Sequence, residues 1–284
     1  MAAVADNATG GRSDGDETVL VSTTFPRLPL PANDARLHIR TARLLVRPLQ
    51  PSDLAGLHAL RTQPEAMTGT RLGRPDRDLV ETQTELDFFL GNNRKGDQDQ
   101  DQDQDKDKGD DNSGPSTYLW GAFLPSTGEL IGEGGVHTLA SDDAVAGWPE
   151  IGYKFRKEHW GRGYATEFLD AVLGAWWGLP RNAVEMRVSR RAVAISADDD
   201  DAAPPRGGGD GDGDASAATV PTTEHVYANA EPGNVGSCRV LEKLGFRRFH
   251  EWTEPDTQEH RVGEPLDLVG YLLASPSPAA GSGK

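Results

Sequence analysis

Residues 158–167 read Glu158-His159-Trp160-Gly161-Arg162-Gly163-Tyr164-Ala165-Thr166-Glu167, and the way this stretch joins its neighbours decides the fold. Before it lies a β-like run, Glu150 to Phe155. After it, Phe168, Leu169, Val172, Leu173 and Trp176 recur on one face of a helix. Two glycines and an alanine at the junction leave backbone N–H groups uncovered where the helix begins. The free amides and the positive end of the helix dipole point the same way, so this corner is a ready anion site. About 70 residues later a second cluster follows, Pro232-Gly233-Asn234-Val235-Gly236-Ser237, running into Val240-Leu241-Glu242-Lys243-Leu244-Gly245-Phe246. Asn234 is placed to cap that second helix and Gly245 to end it.

Working outward, the rest of the chain is unevenly able to form a core. Residues 1–35 are rich in Gly, Ala, Asp and Pro, and residues 96–112 are an Asp/Gln repeat without an apolar side chain. Residues 197–221 are equally poor. Such segments bury too little surface to offset the entropy of ordering them. The reading is therefore a disordered tail over 1–35, one domain over 36–274 with disordered acidic insertions at about 96–112 and 197–221, and a disordered tail over 275–284. The two insertions each carry a charge of minus six and the N-terminal stretch minus three, which leaves almost nothing of the total of −16 for the folded part. No basic field of nucleic-acid size remains. One cysteine, Cys238, permits no internal disulfide. No apolar run approaches the roughly 20 residues that span a bilayer. The expectation is a cytoplasmic protein, the nucleus not excluded, without a membrane or nucleic-acid partner; oligomeric state carries no signature.

The periodicities predict short strands at 37–39 and 44–46 and a helix through Leu54, Leu57 and Leu60, capped by Ser52. A helix over 78–90 follows, then an antiparallel pair at 118–124 and 130–139 around Ser126-Thr127-Gly128. Beyond the glycine corner, Val184, Met186 and Val188 alternate with polar residues, and 224–230 is again extended. These are either two strands or one interrupted strand. Runs 246–252 and 266–274 close the domain as strands, giving a mixed α/β class.

Three pieces of this order resemble the GNAT superfamily of acyl-CoA-dependent N-acetyltransferases, most nearly the branch with the ribosomal-protein-alanine acetyltransferases. They are Thr41-Ala42-Arg43-Leu44-Leu45-Val46-Arg47-Pro48-Leu49 with Asp53, then Glu150-Ile151-Gly152-Tyr153 with the 160–167 loop, and Asn234 through Phe246. The resemblance implies a central, mostly antiparallel sheet flanked by helices, whose fourth and fifth strands, a parallel pair, splay apart. It implies acetyl-CoA as co-substrate, no metal, and a primary amine, of a protein N-terminus or a small molecule, as acceptor. The amides of Gly161, Arg162, Gly163, Tyr164, Ala165 and Thr166 would cradle the pyrophosphate, and the backbone of Tyr153, Lys154 and Phe155 would pair with pantetheine as an extra strand. Trp160 stands where the family usually has Gln or Arg, so that position is expected to act through its backbone. Asn234 is read as a cofactor contact as well as a cap.

Amine attack on a thioester needs a base for the amine proton and a proton for the leaving thiolate. Glu150 is the candidate base and Ser237 the candidate acid, set against their plain readings as a capping carboxylate and a first-turn hydroxyl. Many relatives carry an acidic tyrosine seven residues after the Asn; here that position is Leu241. Arg181, Arg187, Arg190 and Arg191 are a solvated strand end or a contact to a cofactor phosphate. Gly161-Arg162-Gly163-Tyr164-Ala165-Thr166 has Thr where a dinucleotide fingerprint needs its third Gly. The alternative function is an acyl-CoA-binding module of the same fold that has lost turnover.

Overall fold

The computed structural model describes residues 18–91, 117–139, 146–197 and 219–276. Strands are β1 Thr18–Pro26, β2 Ile39–Arg40, β3 Leu45–Arg47, β4 Tyr118–Phe123, β5 Leu130–Thr138, β6 Glu150–Phe155, β7 Arg181–Ser189, β8 Val220–Pro221, β9 His225–Ala230, β10 Arg247–Pro255 and β11 Pro265–Ala274. Helices are α1 Leu54–Arg61, α2 Pro64–Met67, α3 Leu79–Leu90, α4 Tyr164–Trp177, α5 Arg190–Ala197 and α6 Val235–Lys243. The main sheet runs β10-β11-β9-β6-β5-β4-β3-β2. Every neighbouring pair in it is antiparallel except β6 and β9, which are parallel and share one bridge, Glu150 with Tyr227. This is the expected mixed α/β fold, with its splayed parallel pair in place.

Each face of the sheet carries its own core. On one side Phe168, Leu169, Val172 and Trp176 of α4 meet Leu241 of α6 over Tyr153 and Phe155. The helical stripe read from the sequence is fully used, and burying each such side chain contributes roughly 2 kcal/mol. On the other side Leu57 and Leu60 of α1 pack with Leu86 and Phe89 of α3 over Leu119 and Leu130. Helix α3 begins where Asp78 accepts from the Val80 and Glu81 amides and ends at Gly91, at φ 74°. The turn before α1 is capped by Gln50 and Asp53 reciprocally, not by Ser52, because Asp53 reaches back to the Gln50 amide at 2.7 Å.

The N-terminal reading needs correction. Residues 18–26 are not tail: β1 pairs along its whole length with β7 and, in parallel, with β8. Val21, Thr23 and Phe25 point inward at a spacing of two, and the β-branched Val19, Val21, Thr23 and Thr24 suit a pleated strand. Together β7-β1-β8 form a separate three-stranded sheet. Its apolar side closes over Trp148, Tyr227 and Leu272. The two extended runs after α4 are therefore two strands in different sheets. The second insertion also ends earlier than expected, since Val220 and Pro221 are strand β8. The first expected insertion lies outside the described residues, as do all but the ends of the second and of the C-terminal tail.

Candidate active site

The loop that precedes α4 is shaped by two left-handed glycines, Gly161 at φ 70° and Gly163 at φ 79°, a conformation that costs other residues steric strain. Gly163 is the N-cap of α4 and no side chain caps the helix there, so its first-turn amides remain uncovered. Trp160 pins the loop to the end of β6 by donating from Nε1 to the Phe155 carbonyl at 2.7 Å. Its indole N–H is thus committed to the main chain, leaving the position only its backbone to offer a ligand.

Facing this loop across a cleft of about 290 Å³ is α6. The loop side is formed by Phe155, Trp160, Gly161, Gly163, Tyr164, Ala165 and Thr166, together with His159. The helix side is formed by Gly236, Arg239, Val240 and Lys243, one face at i, i+3, i+4 and i+7. Arg239 and Lys243 are cations directed at a predicted anion site, and the sequence reading did not single them out. Their signal was there: the spacing from Gly236 places both on a single helix face. Of the predicted cofactor residues, Tyr153, Lys154, Arg162 and Asn234 are not in this lining. The Tyr153 phenol is buried, donates to the Ser237 carbonyl at 3.4 Å, and is pushed upward in pKa by burial. Lys154 turns its ammonium to the fully buried Glu133 on the α1–α3 side of the sheet. The Arg162 carbonyl accepts from Arg43 Nη1 at 2.7 Å. Asn234 caps α6, its Oδ1 accepting from the Ser237 amide at 3.2 Å.

Glu150 sits where the sheet opens. Its Oε1 accepts from Asn229 Nδ2 at 2.8 Å, and beyond its bridge to Tyr227 the β6–β9 ladder stops. The fully buried Tyr227 phenol is kept neutral by burial and by the Glu150 carboxylate beside it. Ser237 is completely buried in the first turn of α6, so its hydroxyl belongs to the packed base of the split, not to the cleft wall. Leu241 is equally buried. Glu129, Glu158 and His159 come close enough to share a cation, and Arg156 already bonds both carboxylates, at 2.5 and 2.6 Å. No described helix is long and apolar enough to cross a membrane.

A mostly antiparallel sheet opened at one parallel pair, with an uncapped helix start facing the opening, is the GNAT fold. The chain belongs to the acetyltransferase (GNAT) domain family, whose model matches residues 43–247. The uncharacterized protein YkkB of Bacillus subtilis (strain 168) is 25% identical over 148 residues, 51% of this chain and 61% of that relative, so the match spans less than two thirds of the relative's length. Among solved structures, the chain is similar to a GNAT-family acetyltransferase from Bacillus anthracis (17% identity, 84% of this chain and 99% of that one, TM-score 0.48). It is similar also to the ribosomal-protein-S5-alanine acetyltransferase from Vibrio fischeri (11%, 85% and 98%, TM-score 0.48). A third is the spermidine N-acetyltransferase from Vibrio cholerae in complex with CoA and spermine (13%, 83% and 97%, TM-score 0.47).

Proposed function

We propose that this protein moves an acetyl group from acetyl-CoA to a primary amine by direct attack of the amine on the thioester. The observation that carries the reading is the single bridge between β6 and β9, Glu150 with Tyr227, beyond which the strands part beside the uncapped start of α4. Acetyl-CoA supplies the activated acyl carbon. Amides of the 161–166 loop hold its diphosphate, with Arg239 and Lys243 adding charge from α6. The backbone from Tyr153 to Phe155 lies along the pantetheine arm, with Lys154 contributing main chain only. Glu150 accepts the proton the amine releases as its nitrogen bonds to the acyl carbon, and Asn229 orients that carboxylate. The sulfur takes up a proton as the carbon–sulfur bond breaks, and Ser237, the candidate acid, is completely buried outside the cleft lining.

The acceptor is a protein N-terminal or small-molecule amine; the motif likeness to the ribosomal-protein-alanine branch supports the first. The test is CoA-thiol release from acetyl-CoA over a panel of amines and N-terminal peptides. Release that depends on Glu150 supports the transferase. Binding of acetyl-CoA without release for any amine supports the second reading, a non-catalytic acyl-CoA-binding module. Leu241, buried where many relatives hold a tyrosine acid, is the observation in favour of that reading.

A further inference from the structure

Arg43, which precedes β3, reaches the phosphate loop from outside the cleft. Its Nε donates to Glu167 Oε2 at 2.6 Å, its own amide donates to Glu167 Oε1 at 2.8 Å, and its Nη1 donates to the Arg162 carbonyl at 2.7 Å. The guanidinium also lies 4.7 Å from the centre of the Tyr164 ring. Thr41 completes the hold on Glu167, donating to Oε1 at 2.6 Å. One side chain therefore ties the edge of the sheet to the carbonyl and to the first-turn carboxylate of the loop that faces the cleft.

The geometry has a directional consequence. The Arg162–Gly163 peptide is trans, and in a trans peptide the C=O and the following N–H point in opposite directions. Arg43 draws the Arg162 carbonyl outward, so the Gly163 N–H is turned inward; Gly163 lines the cleft and Arg162 does not. Charge runs the same way. Glu167 lies in the first turn of α4, where a bare carboxylate would oppose an incoming diphosphate, and Arg43 neutralises it. Two acceptors of different kinds need a planar fork of donors, which Lys does not have. The Arg43 side chain is 46% exposed, and exposed pairs of this sort add little to global stability, so the contact is better placed to shape the loop than to hold the fold.

We propose that Arg43 is a positioning residue for diphosphate binding: it orients the Gly163 amide into the cleft and masks Glu167. This rests on the acetyl-CoA reading above. The experiment measures the affinity of the whole protein for CoA by calorimetry and for pantetheine, which lacks the diphosphate, by ligand-detected NMR. Arg43→Ala is expected to weaken CoA about tenfold or more while leaving pantetheine within about twofold, and Arg43→Lys to fall between for CoA. CoA affinity within about twofold of the unaltered protein in Arg43→Ala overturns the proposal, as does an equal loss of CoA and pantetheine in both variants. If the unaltered protein binds no CoA, the acetyl-CoA reading itself falls and takes this proposal with it.

Discussion

Asn229 donates from Nδ2 to Glu150 Oε1 at 2.8 Å, two residues beyond the one bridge that joins β9 to β6. The amide of one parting strand thus holds the carboxylate of the other at the point where the sheet opens. A carboxylate fixed in this way presents its remaining lone pairs in a set direction, which a base needs and a surface cap does not.

Glu150→Gln keeps the shape of that contact and removes the carboxylate proposed as the base. Steady-state thiol release should fall about 100-fold or more in kcat, with CoA affinity unchanged by calorimetry. A variant with full turnover would return Glu150 to a structural role.

Gly163→Glu places a side chain on a left-handed residue at φ 79°, with its Cβ 3.4 Å from Arg43 Nη2, so the new carboxylate competes for the guanidinium that holds the loop. CoA binding should drop by about 100-fold or become undetectable, while the far-ultraviolet circular dichroism stays that of the parent protein. Retained affinity would move the phosphate site elsewhere.

Arg239→Glu and Lys243→Glu reverse the charge on the α6 wall of the cleft. Each should weaken CoA about tenfold at low salt, and the difference from the parent should shrink as salt rises toward about 0.5 M. Equal affinities at low salt would show that this wall carries no phosphate contact.

Val21→Ala tests the strand that replaces the expected tail. Val21 is fully buried in β1, so urea unfolding should show a loss of about 2 kcal/mol. A tail residue would give no change.

Glu81 links stability to pH. Hydrogen bonds from Arg74, and then from the Arg77 amide, hold its carboxyl at about 2 against an ordinary 4.5. A depressed carboxyl adds stability above its unfolded value and loses it as pH falls through the folded one. Urea midpoints should therefore decline between 4.5 and about 2, and Glu81→Gln should flatten part of that decline. Arg74 also bonds Glu259 in the β10–β11 connection at 2.9 Å, so the same titration should loosen that connection from α3, which hydrogen exchange would register.

Most of the fold was legible because its signals are local. The helical stripe of α4, the Asn234 cap, the glycine stop at Gly245 and the Ser126-Thr127-Gly128 turn between β4 and β5 each follow from a few neighbouring side chains. The bend before α4 was legible for the same reason, down to its left-handed Gly161 and Gly163. What stayed hidden depends on distant partners. Val21, Thr23 and Phe25 alternate as a strand should, but their neighbour is β7, about 160 residues away, and the surrounding Gly and Asp drowned the pattern. Asn229 reads as one more polar residue in an extended run until β6 lies beside it. Arg43 looked like part of a strand motif, and only the folded chain brings it to Arg162 and Glu167. The commitment of Lys154 to Glu133 likewise depends on a register across β5 and β6 that no single run of residues reveals.

The small sheet β7-β1-β8 has a mechanical corollary. The chain leaves β7 through α5, passes through residues 198–218, and comes back as β8, and both β7 and β8 are laced to β1. Cutting the polypeptide anywhere in that excursion would leave both halves fastened to one shared ribbon. A protease-clipped protein should accordingly migrate as two bands under denaturing electrophoresis and as one particle in its native state.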